Sequence, residues 1–303
     1  MSMRITNSMV ARTVLNDLTA VSGRLTATQR KLSSGRELGR PSDDPFRTAR
    51  ALELRKDLEA SRQHRDNVRE ALAWQTVSDT ALGKVTDSVQ RARELVVQGS
   101  NDTAGATARS NLAQEVTALI DSIKQEANAS YSGRFVFSGT LTTTRPYTVG
   151  GVDTFAGNAA TISREIGPGV SIPINQIGSI VLGNGAGADT LLLDTLRDVV
   201  THLQGGTPAD LNILRTTDLQ QLDANLDLLS SVRAAVGATT NRLDTAALRL
   251  AELEESTLSL LSETEDADMA KTMVDFSMQQ AVYQSALKSG ANIVQVSLLD
   301  FLR

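Results

Sequence analysis

Two apolar seams, one at each end of the chain, limit what this sequence can fold into more than anything between them. The segment 262–303 lacks proline, and its one glycine is Gly290. Along it, apolar or small residues recur at Met269, Met273, Phe276, Tyr283, Leu287, Gly290, Val294, Leu298 and Phe301. The steps are threes, fours and their sum, the spacing of a coiled-coil seam rather than of a broad amphipathic stripe. A matching seam lies near the other end at Val14, Leu18, Val21, Leu25, Thr28 and Leu32. Both ends are therefore expected to pack against a helix, in the same molecule, in a neighbour, or in both.

Between the seams the pattern remains helical for long stretches. A first helix is expected over 5–32, stopped by Ser33, Ser34 and Gly35. Asp44 is the expected N-cap of the next helix and Pro45 its first residue, where the missing N–H costs nothing. That helix reads to Gly99, longer than ordinary globular helices. A further helix follows the turn 99–105. The spacing of Leu219, Leu222, Leu226, Leu229, Val236, Leu243 and Leu250 marks another long coiled-coil helix. The helical rhythm stops over 134–188, with short β-type runs at 135–137, 148–155, 160–166, 170–174 and 177–182 separated by glycines and prolines. The expected fold is mainly α: an elongated helical bundle or coiled-coil rod built from paired N- and C-terminal segments, with a small β-rich tip domain inserted in the middle. The expected divisions are terminal arms at 1–44 and 262–303, a helical rod at 45–140 and 187–261, and a β-rich outer domain at 141–186.

Composition narrows function mainly by exclusion. With no cysteine, disulfides and thiolate metal sites are ruled out. Aromatic residues are 3% of the chain, which suits thin helical layers packed by Leu, Val and Ala. The formal net charge is −5, and no basic stripe interleaves with aromatics, so nucleic acid is not an expected partner. No apolar run is long enough to span a membrane, and the start of the chain lacks the apolar stretch of a cleaved export signal. No nucleotide-binding glycine loop, nucleophile elbow or zinc-binding helix motif occurs. His64 and His202 read as ordinary helix residues, and Asp43 with Asp44 as capping rather than metal binding. No enzyme activity, cofactor or metal is expected.

Charge divides unequally between the ends. Residues 1–44 carry seven basic and four acidic side chains, whereas 262–303 carry six acidic and three basic. If the chain folds back on itself, Arg30, Lys31, Arg36 and Arg40 come level with Glu263, Glu265, Asp266 and Asp268. Exposed pairs of this kind select register and partner more than they stabilise. Ser262 and Glu265 also have the spacing of a capping box, which places the start of the last helix at Ser262.

Several linked motifs carry a resemblance to a known family. Met3-Arg4-Ile5-Thr6-Asn7, Leu32-Ser33-Ser34-Gly35-Arg36, Ser42-Asp43-Asp44, the run 90–98 beginning Gln90-Arg91-Ala92-Arg93-Glu94-Leu95, and Glu265-Asp266-Ala267-Asp268-Met269-Ala270 occur in the order found in bacterial flagellins. The chain thus resembles the bacterial flagellin family over about 1–140 and 189–303. Pro45 after the paired aspartates, Phe135-Val136-Phe137-Ser138-Gly139-Thr140 and the ending Ser297-Leu298-Leu299-Asp300-Phe301-Leu302 look more like the family's hook–filament junction member than its filament subunit. The resemblance implies a structural subunit of the bacterial flagellum, exported without a cleaved signal peptide by the flagellar type III apparatus with an export chaperone. It implies terminal arms that are disordered in the monomer and order on assembly. The implied partners are flagellin, hook-associated protein 1 and further copies of the chain in a ring. A filament subunit is the nearest alternative, and a cytoplasmic coiled-coil adaptor a more distant one.

Overall fold

The computed structural model describes residues 7–185, 187 and 189–301, with side-chain surroundings described at residue 9 and, within those ranges, from 12 to 291. The elements in order are α1 (Asn7–Ser34), α2 (Pro45–Gly99), α3 (Ala106–Ala127), the hairpin β1 (Ser130–Tyr131) and β2 (Arg134–Phe135), the hairpin β3 (Ser163–Gly167) and β4 (Val170–Pro173), α4 (Gly178–Val181), α5 (Leu192–Gly205), α6 (Pro208–Ile213), a π-helical turn at Leu214–Asp218, α7 (Leu219–Glu265) and α8 (Met269–Phe301). The chain is mainly α-helical, with two small antiparallel sheets in its middle third. It divides into two compact units, 1–60 with 253–303, and 61–252, whose boundaries fall inside α2 and α7.

In the unit 61–252, α2 and α7 run antiparallel. Arg93 Nε meets Asp223 Oδ1 at 2.6 Å, and Arg233 Nε meets Asp79 Oδ1 at 3.0 Å. These exposed pairs fix register; each contributes at most about 1 kcal/mol. The cohesion comes from apolar ladders with a seven-residue step. On α7 the buried rungs are Leu222, Leu229, Val236, Leu243 and Leu250, and on α2 they are Val68, Leu82, Val89 and Val96, with the buried polar Gln75 in register between the first two. A strict seven-residue repeat keeps one face of a slightly supercoiled helix inward. The inner faces of α3 and α5, through Val116, Ile120, Ile123, Leu196, Val199 and Leu203, complete the same core. Leu229 is fully buried, so Leu229→Ala should cost about 2–5 kcal/mol by loss of burial and cavity formation. The shift is read in the urea midpoint of Trp74 fluorescence, since Trp74 is the chain's one tryptophan and is buried here.

The middle third departs from its sequence expectation in detail. The run 148–155 forms no strand, and 177–182 contains the short helix α4. The two hairpins are too short to stand alone. They depend on the helices. Gln75 Nε2, inside the α2 ladder, donates to the Ile174 carbonyl at 3.1 Å, and Asn67 Nδ2 donates to the Glu165 carbonyl at 2.8 Å. Glu70 takes Arg134 at 2.7 Å and Arg164 at 3.1 Å, and hydrogen bonding from Arg164 holds its carboxyl below the usual range. Asn128, just past α3, clasps the backbone of Tyr147 on both sides. Phe137, Tyr147, Ile172 and Ile174 lie in the same core as the helices.

The strongest anchor is ionic. Lys124 on α3 is fully buried. Its ammonium contacts the Asp153 carboxylate and donates to the Gly151 carbonyl at 2.8 Å. Asp153, on the long connection 148–162, also accepts from Arg197 of α5, with Nε–Oδ2 2.5 Å and Nη2–Oδ1 3.0 Å. Burial pushes the Asp153 carboxyl up, but the hydrogen bonds from Arg197 and Lys124 outweigh it and hold the group below its ordinary value. Nearby, His202 Nδ1 lies 2.7 Å from Asp218 Oδ2 at the end of the π-helical turn, and burial pushes the Asp218 carboxyl up.

Candidate assembly interface

The unit 1–60 with 253–303 contains both arms. α1 and α8 pack antiparallel, and three levels define the register. At one end, the Ala267 N–H donates to the Gly35 carbonyl and the Glu37 N–H to the Glu265 carbonyl, at 2.9 and 2.8 Å. Midway, Thr28 Oγ1 donates to Gln279 Oε1 at 2.8 Å. Further along, a Cβ placed on Gly290 would stand 3.0 Å from Val14 Cγ1 and 3.6 Å from Leu18 Cδ1. Among the glycines of the arms, Gly290 is thus the one on which side chains of the facing helix close most tightly. A polar pair inside an apolar seam marks one register at some cost in stability, which suits Thr28 and Gln279.

Side-chain burial separates two groups that the sequence merged. On α1, Val21 and Thr28 are buried and Val14, Leu18, Leu25 and Leu32 half-buried, all on the face toward α8. On α8, the inward residues are Thr272, Phe276, Gln279, Tyr283, Ala286 and Gly290, stepping by four and three. Met269, Met273 and Leu287 do not belong to that face. They are 46%, 62% and 44% exposed. Met273 and Leu287 sit one position around the helix from the seam, and Thr272 and Ala286 take the inward places. Val294, Leu298 and Phe301 lie outside the residues whose side chains are described.

The charged residues also sort differently from expectation. The two clusters do come level, through a bridge between Arg36 and Asp266. Of the expected cross-pairs, Arg36 Nε to Glu265 Oε1 at 3.5 Å forms. Lys31 instead turns to Glu37 at 4.0 Å. Arg30 and Arg40 form no ion pair among the described residues, and the backbone N–H of Arg40 donates to Asp43 Oδ2 at 2.9 Å. Two arginines that the sequence did not single out carry much of this joint. Arg55 contacts Glu265, and Arg47 reaches both Glu37 Oε2 at 3.2 Å and the Thr264 carbonyl at 2.6 Å. Both arginines lie in the first turns of α2, and nothing in their local pattern separates them from solvent-facing neighbours.

The capping assignments shift as well. Ser262 is not an N-cap. It lies inside α7, which runs on to Glu265, and its hydroxyl donates to Asp266 Oδ2 at 2.6 Å. Glu263 is exposed near the end of the same helix. Glu265 is the last residue of α7, where the dipole disfavours a carboxylate; Arg36 and Arg55 offset that and let it sit 6% exposed. The next helix is capped by Asp268, which accepts from the Lys271 N–H at 3.1 Å. Asp44 accepts from the Arg47 N–H at 3.0 Å ahead of Pro45. Asp44→Ala should therefore cost about 1 kcal/mol, seen as earlier thermal loss of helicity. Gly35 ends α1 with φ +69°, a conformation that a side chain strains.

These features define a class of protein: a helical chain whose two ends form one antiparallel arm, with apolar surface left exposed on it. Residues 5–142 match the bacterial flagellin N-terminal helical region and 219–302 the bacterial flagellin C-terminal helical region. The chain belongs to the bacterial flagellin family, and is a flagellar structural protein that assembles with other flagellar components. It is similar to flagellin of Bacillus subtilis (strain 168), 27% identical over 313 residues covering 99% of this chain and 100% of that one. It is also similar to flagellar hook-associated protein 3 of Escherichia coli (strain K12), 25% identical over 291 residues covering 89% and 90%. Among solved structures, flagellar hook-associated protein-3 from Legionella pneumophila shares the fold, with a TM-score of 0.61 and 14% identity over 70% of this chain and 98% of that one.

Proposed function

We propose that this chain is a structural subunit of the hook–filament junction of the bacterial flagellum, assembling through its paired arms. The observation that carries the assembly part is the surface of α8. From Met269 to Ala291 its only charged residues are Lys271, Asp275 and Lys288. One face packs on α1, yet Met273, Val274, Met278, Val282 and Leu287 remain 44–65% exposed on others. A helix apolar on nearly every side is a helix meant to be buried. The occupant that fits is a second copy of this chain, because its own α1 and α8 already pair through seams of the same spacing. Val14, Leu18, Val21, Leu25 and Leu32 then hold the arm together, while Met269, Met273, Leu287, Val294, Leu298 and Phe301 are proposed to face neighbours.

Support for the junction rather than the filament comes from Pro45 after the paired aspartates, the segment 135–140 and the similarity to hook-associated protein 3. The proposed partners are flagellin on one side and hook-associated protein 1 on the other, with further copies in a ring. Export of the chain through the flagellar type III apparatus with a chaperone, without cleavage, belongs to the same reading. A deletion strain tests it: hooks present, filaments absent and flagellin shed into the medium are expected, whereas normal filaments refute it. The filament-subunit reading draws on the near full-length similarity to flagellin; purified chain that grows long filaments from its own seeds, without flagellin, would establish it instead.

A further inference from the structure

The chain contains no cysteine and six methionines, so thioethers are its only sulfur. Methionine is among the residue types most often buried. Here every methionine whose surroundings are described is exposed: Met9 at 55%, Met269 at 46%, Met273 at 62% and Met278 at 58%. All four lie in the arms, and the core of the unit 61–252 contains none. Three cluster within ten residues of α8. Met269 and Met273 are one turn apart, on the side of the helix that also carries Leu287. Met278 lies on a separate side with Val274 and Val282, four residues away in each direction. Each exposed apolar stripe of α8 thus includes at least one thioether.

We propose that Met269, Met273 and Met278 form an oxidation site that switches the free subunit from assembly-competent to assembly-incompetent. This rests on the proposed burial of α8 against neighbouring copies. The oxidant is a two-electron oxygen donor of the peroxide class. The thioether sulfur attacks one peroxide oxygen, the O–O bond breaks, an S–O bond forms, and the departing hydroxide takes the proton from the new S–OH group to leave as water. Sulfur is oxidised by two electrons and the peroxide is reduced. The product sulfoxide is polar and chiral where the thioether was apolar and adaptable. On the free subunit it points into water and costs the fold little, because these side chains do not face α1. In a packed face it is a strong acceptor with no donor among the Met, Val and Leu side chains around it. Assembly also protects the same sulfurs by covering them, so the switch acts on subunits that have not yet been incorporated.

The test uses the purified full chain, hydrogen peroxide, and isolated hooks from the deletion strain to which the chain and then flagellin are added. Peptide mass mapping should find one added oxygen at each of Met269, Met273 and Met278, with helicity unchanged. The number of hooks that nucleate a filament should fall about tenfold or more after oxidation, and recover after treatment with the paired methionine sulfoxide reductases. A variant with all three replaced by Leu keeps Met1, Met3 and Met9 and should retain its yield after peroxide. Oxidised parent that nucleates as many filaments as untreated parent overturns the proposal, as does a Leu variant that loses as much as the parent. If the Leu variant does not fold, the reductase recovery of the parent decides: no recovery overturns the switch. Untreated parent that nucleates nothing overturns the junction reading itself, and the switch with it.

Discussion

Asp153→Ala lowers the unfolding free energy of the unit 61–252 by about 3–5 kcal/mol. The carboxylate removed is the counter-charge of Lys124, which is fully buried on α3. Without it the ammonium keeps only the Gly151 carbonyl, with Asp121 3.9 Å away and half-exposed. Arg197 contributes less to the loss, because its side chain is 40% exposed and can return to water. The urea midpoint of Trp74 fluorescence measures the change, and a shift no larger than that of an exposed-pair variant such as Asp223→Ala would contradict the role given to the triad. The pH dependence has a definite sign. The folded-state pKa of Asp153 lies below its unfolded value, so the stabilisation is fully present above about pH 4 and is lost as pH falls through the lowered pKa. The parent should therefore lose stability as pH falls below about 4, and that part of the acid loss should be missing in Asp153→Ala.

Leu287→Asp leaves the soluble subunit as helical as the parent and blocks its incorporation. Leu287 is 44% exposed on α8, beside the seam rather than in it, so a carboxylate there stays hydrated in the free subunit. In the proposed assembly the same carboxylate is buried against a face of Met, Val and Leu side chains, a penalty of several kcal/mol for each subunit. At about 1.4 kcal/mol per factor of ten, incorporation should fall at least a hundredfold, to ~1% or less. Far-ultraviolet circular dichroism and filament counts on complemented deletion cells provide the two readouts. Lost helicity in the free protein would place Leu287 in the arm's own packing; unchanged filament counts would leave this stripe without a neighbour. Gly290→Leu provides the contrast, since it strikes Val14 and Leu18 and should disturb the α1–α8 pairing before any neighbour arrives.

Much of the helical framework was legible in the sequence because it depends on local periodicity. The start of α2 at Pro45 behind Asp44, its end at Gly99 and the seven-residue ladder from Leu222 to Leu250 all follow from spacing and capping chemistry, and the structure shows each. The antiparallel return of the arms was legible from opposite net charges at the two ends. Less was legible where one residue type serves two ends of a helix. Four acidic residues after a serine read as the start of a helix, yet Glu265 closes one, because Arg36 and Arg55 overcome the dipole from elsewhere in the sequence. The middle third was readable only as non-helical. Its short strands and the loop between them are held because Gln75 and Glu70 on α2, and Asn128 just past α3, supply hydrogen bonds that no local pattern announces.

The sequence by itself determined that both ends are seam-forming helices, that no disulfide can form, and which family the chain resembles. These follow from periodicity, from the absence of cysteine, and from motifs in order. Only the tertiary structure decided which apolar residues of α8 are spent on α1 and which remain outside. A seam read at steps of three and four admits neighbouring positions almost equally, and Met273 against Thr272, or Leu287 against Ala286, differ by one residue and about 100° around the helix. Hydrophobicity favours Met and Leu for the inward place. The tight seating of Val14 and Leu18 over Gly290 and the Thr28–Gln279 pair select the smaller and more polar residues instead, and leave the larger apolar ones facing outward.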